Sequence, residues 1–279
     1  MHAVHHDDTT LWVHETGAGS PLLLLHGFPL DHRMWSGQEP LADRMRLLVP
    51  DQRGFGRSSG SLPASIAQLA DDAAAVLEAR AGGAAAVVCG LSMGGYVAQH
   101  LAVRHPSLIR ALVLVDTKLE ADTTDARAAR HDLAVRVERT GQAVLAEAML
   151  PRLLGSSAGA RRQPQRRAVE AILRDTILAT PIPTITSALA ALAARPDMTA
   201  ALADLPVPTL LVVGAEDAIT PPDCMERAAA VIPGSRVRVI ADCGHMTPLE
   251  DPPAFNAALT DFLDGLPHRD QPTGREGRA

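Results

Sequence analysis

Ser92 has the most informative neighbours of any residue in the chain able to do covalent chemistry. It sits in Gly90-Leu91-Ser92-Met93-Gly94, after the apolar run Ala84 to Cys89 and before a helical stretch that begins near Gly95. A serine in a sharp strand-to-helix turn has its hydroxyl raised above the sheet edge, and side chains in place of the flanking glycines would clash. The N–H of Met93 opens the helix and can donate to a developing oxyanion. This points to nucleophilic attack by a serine.

A serine hydroxyl needs a base. Of eleven histidines, His245 is best placed, in Asp242-Cys243-Gly244-His245-Met246, just after the strand-like run Val237 to Ile240 and before a C-terminal helix. A loop at the C-terminal end of a strand faces the ligand crevice of an open α/β sheet. His100 and His105 lie on or just after a helix and read as structural or exposed, and His2, His5, His6 and His268 lie near the termini. The base needs an orienting carboxylate. Asp217 follows Leu210 to Val213, and Asp116 follows Val113-Leu114-Val115, so both end strand-like runs and both are candidates. Glu216 points away from the side that Asp217 faces. A second oxyanion donor is expected from the backbone N–H of Phe28, in His26-Gly27-Phe28-Pro29 after Leu22 to Leu25. His26 is expected to brace that loop, and Trp35 to wall the substrate pocket or to pack in the core.

The elements that must position these residues are legible as short apolar runs bounded by Gly, Pro and Asp. Leu11 to Glu15 reads as an edge strand. Pro21 to Leu25, Arg46 to Val49, Ala84 to Cys89, Ile109 to Val115, Leu210 to Val213 and Val237 to Ile240 read as strands buried on both faces. Helical stretches lie among them at Ile66 to Arg80, Tyr96 to Arg104, Pro222 to Val231 and Pro253 to Leu263. Strand alternating with helix predicts a parallel α/β sheet. The stretch from Leu119 to Ala201 breaks the rhythm. It is rich in Ala, Arg, Leu and Glu, has breaks near Pro151, Gly155, Pro164 and Pro181-Ile182-Pro183, and contains no strand-like run. It reads as helices inserted between two core strands.

Together, His26-Gly27-Phe28-Pro29, the turn Asp51 to Ser58, Gly90 to Gly95, the Asp217 loop and Gly244-His245 resemble the α/β-hydrolase superfamily. The motifs span about residues 22 to 265. The resemblance implies an α/β-hydrolase fold, with a mostly parallel eight-stranded sheet flanked by helices. It implies a core of residues 1–118 and 202–266 and a helical cap over the site at 119–201. The tail at 267–279 is polar, with Gly and Pro, and reads as disordered. The family order of serine, acid and histidine favours Asp217 over Asp116 and gives the triad Ser92, Asp217, His245. Ser92-Met93-Gly94-Gly95 and the loop Asp217 to Pro221 look like those of small carboxylesterases, enol-lactonases and cofactor-free haloperoxidases. Enol-lactonases often carry a Ser-Leu-Gly-like oxyanion loop, where this chain has His26-Gly27-Phe28.

The chemistry expected is acyl transfer from a small ester or lactone to water, with no metal and no organic cofactor. The same triad serves C–C bond hydrolysis, thioester cleavage or perhydrolysis, and a non-catalytic binding protein on this fold is the reading from a different class. Leu145, Met149, Leu153 and Leu154 are candidates for the pocket roof. The remaining composition is consistent with a small-molecule enzyme. The chain has 279 residues, 47% of them apolar, and a net charge of −6 without a long basic run, which argues against nucleic acid. Arg161, Arg162, Arg166 and Arg167 form the densest basic cluster and read as a solvated helix face. No run approaches the roughly 18 apolar residues of a membrane helix. Met1 to Thr10 lacks a signal-like apolar core, and the three cysteines fit no zinc spacing. A cytoplasmic protein with reduced thiols is the expectation.

Overall fold

The computed structural model describes residues 1–161 and 164–267, so Arg162 and the tail from 268 onward lie outside the described residues. Eight strands form one sheet: β1 (His2–His6), β2 (Thr9–Thr16), β3 (Pro21–Leu25), β4 (Arg46–Pro50), β5 (Ala86–Leu91), β6 (Ile109–Val115), β7 (Thr209–Gly214) and β8 (Arg236–Ile240). Their spatial order is β1-β2-β4-β3-β5-β6-β7-β8. β1 and β2 form an antiparallel ribbon, β2 meets β4 antiparallel, and the six strands from β4 to β8 run parallel. The central strands β5 and β7 are buried along their whole length. Their continuous Val, Leu and Cys runs suit a sheet covered by helices on both faces.

The core helices are α1 (Ile66–Ala81) and α2 (Met93–Arg104). The Ser65 hydroxyl caps α1 by accepting the Gln68 N–H at 3.1 Å, and Gly82 ends it in the left-handed region at φ 60°. Between β6 and β7 the described residues form helices joined by loops, with no strand: α3 (Thr124–Thr140), α4 (Ala143–Leu153), α5 (Ala158–Arg161), α6 (Arg166–Ala179), α7 (Ile182–Ala194) and α8 (Thr199–Leu202). Pro151 does not break this region but sits inside the last turns of α4. After β7 come α9 (Pro222–Val231), α10 (Thr247–Glu250) and α11 (Pro252–Asp264).

The insertion rests on the core through specific bonds. The Thr180 hydroxyl donates to Pro29 O at 2.9 Å, Thr184 to Gly54 O at 3.0 Å, and Ser187 to Pro63 O at 2.9 Å. Within it, α3 packs on α7 and α4 on α6. No single helix among the described residues is long and apolar enough to cross a membrane.

Three elements differ from the sequence reading. The edge on the N-terminal side is β1, not the strand containing Leu11 to Glu15, because Val4 is the one buried residue of β1 and leaves no apolar run to read. β8 is the opposite edge and is largely exposed, although Val237 and Val239 resemble buried-strand residues. A continuous 3-10 helix over His32–Asp43, with Gly37 and Pro40 inside it, fills the connection from β3 to β4.

Candidate active site

Ser92 ends β5 and caps α2 with φ 53° and ψ −112°. That backbone is unfavourable for a residue with a Cβ, at a cost of about 1–3 kcal/mol. The neighbours enforce it. A Cβ on Gly90 would lie 2.1 Å from Gly94 O, and one on Gly94 would lie 2.1 Å from Leu25 O. The flanking glycines are therefore required by contact. Ser92 N–H donates to Val115 O at 2.9 Å, and the Thr117 hydroxyl donates to Ser92 O at 3.0 Å, so β6 holds the turn from the side. Met93 is the first residue of α2, whose opening N–H groups have no acceptor within the helix.

His26-Gly27-Phe28 lies against this turn. A Cβ on Gly27 would come within 3.5 Å of the Ser92 Cβ. His26 is fully buried and braced at both nitrogens: Nδ1 donates to Gly27 O at 3.0 Å, and Nε2 accepts the Gln52 N–H at 2.9 Å. Burial lowers its pKa, which suits this neutral tautomer. The Phe28–Pro29 bond is cis.

His245 and Asp217 are joined. The His245 Nδ1 donates to Asp217 Oδ2 at 2.7 Å, and both side chains are buried. Asp217 is itself fixed, with Oδ1 accepting the N–H groups of Ile219 at 2.7 Å and Thr220 at 3.0 Å, and Oδ2 accepting the Thr220 hydroxyl at 2.7 Å. Burial alone would raise its pKa. The charge and hydrogen bond of His245, with the two backbone donors, lower it overall. Burial pushes the His245 imidazolium the other way, toward the neutral form. The nearby carboxylates, Asp217 first, outweigh burial, and its pKa is raised. Gly214 makes the approach of the two loops possible, since a Cβ there would lie 1.9 Å from Gly244 O.

Asp116 is next to this pair without being bonded to the histidine. Its Oδ1 accepts the Gly214 N–H at 2.9 Å and its Oδ2 accepts the Thr247 hydroxyl at 2.7 Å. Complete burial and the charge of Asp217 push its pKa up to about 7. Asp116 thus pins the end of β7 and the start of α10, and the hydrogen bond to His245 belongs to Asp217.

Glu250 is a site residue that sequence reading missed. It is 2% exposed, and its carboxylate accepts three backbone N–H groups: Gly244 at 2.8 Å and Met246 at 3.2 Å on Oε1, and Gly155 at 2.7 Å on Oε2. The His245 N–H donates to Leu153 O at 2.9 Å. The histidine loop is therefore held on both sides and tied to the segment after α4. No sequence signal marks Glu250, because its partners are main-chain groups brought there by the fold.

A cavity of ≈ 420 Å³ opens beside these groups, walled by Phe28, Tyr96, Met149, Ile219 and Thr220 among others. Met149 lines this cavity. Trp35 does not: its indole packs 6.1 Å from the Phe255 ring and lines a separate cavity with His14 and His32. Leu153 is 1% exposed, its side chain belongs to the hydrophobic core, and its carbonyl accepts the His245 N–H. Leu145 and Leu154 are buried in the packing of the insertion on the core, away from this cavity. Asp31, His32 and Asp51 bring one possible ligand atom each within 4.8 Å and are the group best able to hold a metal ion among the described residues. These atoms already serve the loop, since Asp51 accepts from the His32 Nδ1 and from the N–H groups of His32 and Arg57, and Asp31 pairs with Arg33.

The α/β hydrolase fold family matches over residues 20–252. The chain belongs to this family. It is 39% identical in sequence to a thermophilic esterase from Thermogutta terrifontis solved with malate bound, with a TM-score of 0.87, covering 92% of this chain and 94% of that one. The enol-lactonase of Burkholderia xenovorans superposes with a TM-score of 0.82 at 29% identity, covering 92% and 97%. Among curated relatives, the pimeloyl-[acyl-carrier protein] methyl ester esterase of Edwardsiella ictaluri is 30% identical over 272 residues, 92% of this chain and 98% of that protein. The protein is an α/β hydrolase of esterase type, with the eight-stranded, mostly parallel sheet of that fold.

Proposed function

We propose that this α/β hydrolase cleaves small-molecule carboxylic esters or lactones through an acyl-enzyme on Ser92. The observation that carries the reading is the buried 2.7 Å Asp217–His245 bond at the strand ends that also present the strained Ser92. Asp217 accepts the Nδ1 proton, which leaves Nε2 as the basic nitrogen. His245 takes the Ser92 proton as the hydroxyl attacks the carbonyl carbon. The N–H groups of Phe28 and Met93 receive the oxyanion, an effect of roughly 3–4 kcal/mol for a donor of this kind. The imidazolium then gives its proton to the leaving alcohol. Water, deprotonated by the same histidine, attacks the acyl-enzyme and releases the acid and Ser92.

The helices α3 to α8 act in this reading as a cap. They contribute cavity wall, such as Met149, and no reacting group. The relatives named as esterases and as an enol-lactonase support ester and lactone substrates, beside one named as a putative carbamate hydrolase. The test is covalent labelling with a fluorophosphonate alongside hydrolysis of p-nitrophenyl acetate. One adduct on Ser92 and loss of turnover in Ser92→Ala are expected. Turnover that survives in a folded Ser92→Ala protein would sink the mechanism.

A further inference from the structure

We infer that the acyl chain of the substrate carries a carboxylate in addition to the scissile carbonyl. The inference rests on the ester or lactone reading and specifies its substrate class. The cavity walled by Phe28 and by Thr220, whose hydroxyl donates to Asp217, is also lined by three cations, Lys118, Arg130 and Arg152, and by one carboxylate, Asp122. Asp122 is buried and already committed, with Arg130 Nε at 2.5 Å, Arg195 Nη1 at 2.9 Å and Lys118 Nζ at 3.6 Å. In the wall itself one carboxylate thus stands among three cations, and Arg152, whose Nη2 donates to Ala218 O at 3.3 Å, is not paired with it. The whole chain is negative, at −6, so the local excess of positive charge runs against its average. A cleft of one sign with low-dielectric walls focuses its field on an entering ion of the other sign.

The remaining wall suits a chain of methylene groups between two polar ends. Phe28, Leu133, Met149, Leu189 and Ile219 supply apolar surface in the same cavity as the cations. The anion belongs on the acyl side for a positional reason. The acyl group is the part that stays on Ser92, and Lys118 directly follows Thr117, whose hydroxyl donates to Ser92 O at 3.0 Å. Behind the wall, the Arg195 guanidinium lies 4.0 Å over the Tyr96 ring, which is itself part of the lining. An ester or lactone of a dicarboxylic acid, with its distal carboxylate ionised, matches this distribution.

The experiment uses monomethyl esters of straight-chain dicarboxylic acids from succinic to suberic, each paired with the methyl ester bearing a terminal amide in place of the free acid. The readout is the ratio of kcat/KM, acid over amide, which cancels general losses of folding or turnover. The wild type should favour the acid by about tenfold at the best chain length, with the ratio falling as salt is added. Lys118→Gln and Arg152→Gln should each lower the ratio, the double variant should bring it near one, and Lys118→Glu should invert it. A wild-type ratio near one at every length, or a ratio that ignores the double variant, overturns the inference and leaves the ester reading intact. Hydrolysis of neither partner at any length overturns this inference, and hydrolysis by Ser92→Ala equal to wild type overturns the Ser92 reading together with it.

Discussion

Glu250 and Gly155 meet at 2.7 Å across the seam between the inserted helices and the core. The same carboxylate holds the N–H groups of Gly244 and Met246, the residues on either side of His245. Substitution by glutamine turns one of its two acceptors into a donor that faces N–H. We expect Glu250→Gln to lower stability by about 1–3 kcal/mol. We also expect kcat to fall at least tenfold with little change in KM, since small misplacements of a reacting group carry large rate costs. The comparison is of kcat, KM and thermal unfolding in one preparation. A destabilised variant with wild-type kcat would restrict Glu250 to a supporting role in the fold.

Asp217 and Asp116 are separable by the same substitution. Asp217→Asn removes the charge that opposes the His245 imidazolium, and in a related triad such a change costs roughly ten-thousandfold in kcat. Asp116→Asn keeps an acceptor for Gly214 N–H and can still pair with Thr247, so a loss under about tenfold is expected. Both variants should be assayed on one ester with circular dichroism as a control. A more severe loss in Asp116→Asn would reverse the assignment.

The pH profile should have its acid limb above the ordinary histidine value of about 6.5. His245 must be neutral to accept the Ser92 proton, and its pKa is raised because the Asp217 charge and hydrogen bond outweigh burial. kcat/KM therefore falls as pH drops through that raised value. In Asp217→Asn the burial contribution is left less opposed, and the residual activity should show a limb displaced to lower pH. A limb at the same pH in both proteins would mean that another group titrates.

Stability away from the site should depend on Arg53. It is 0% exposed and donates to Asp72 through Nε at 2.8 Å and Nη2 at 2.7 Å, and Nη1 reaches Asp8 and Ser61. This joins the β1–β2 turn and the Asp51–Ser58 turn to α1. Arg53→Met leaves the buried Asp72 carboxylate with His6 alone from its ion pairs and should cost about 3–5 kcal/mol. Arg53→Met combined with Asp72→Leu should recover part of that loss. Urea midpoints of the two proteins decide it, and equal or lower stability of the double variant would count against the account.

The sheet was readable where side chains on both faces are apolar. Pro21 to Leu25 is an uninterrupted run and Ile109 to Val115 is broken only by Arg110 near its start, and their limits coincide with β3 and β6. β1 was unreadable because one face of an edge strand meets solvent and its residues are mostly His and Ala. The His245 and Asp217 loops were legible from their places after strand runs, and the two side chains do meet. Trp35 was not assignable, because packing on Phe255 is a contact between residues far apart in sequence. Glu250 and the cation-lined cavity belong to the same class: both depend on which segments the fold brings together.

The two borders of the sheet are protected unequally. Among the described residues β8 pairs only with β7, and it bears Arg236 and Arg238 at alternate, exposed positions, with Arg238 held by Asp261 at 3.0 Å. Any second copy that tried to extend the sheet there would bring its own arginines alongside. Charged side chains on a free border discourage such pairing. Val239, 53% exposed on the same strand, can therefore face water at a free border without seeding a growing stack of molecules. Replacing the two arginines with threonine would keep the strand-forming tendency and remove this electrostatic guard, making concentrated protein prone to assemble through β8.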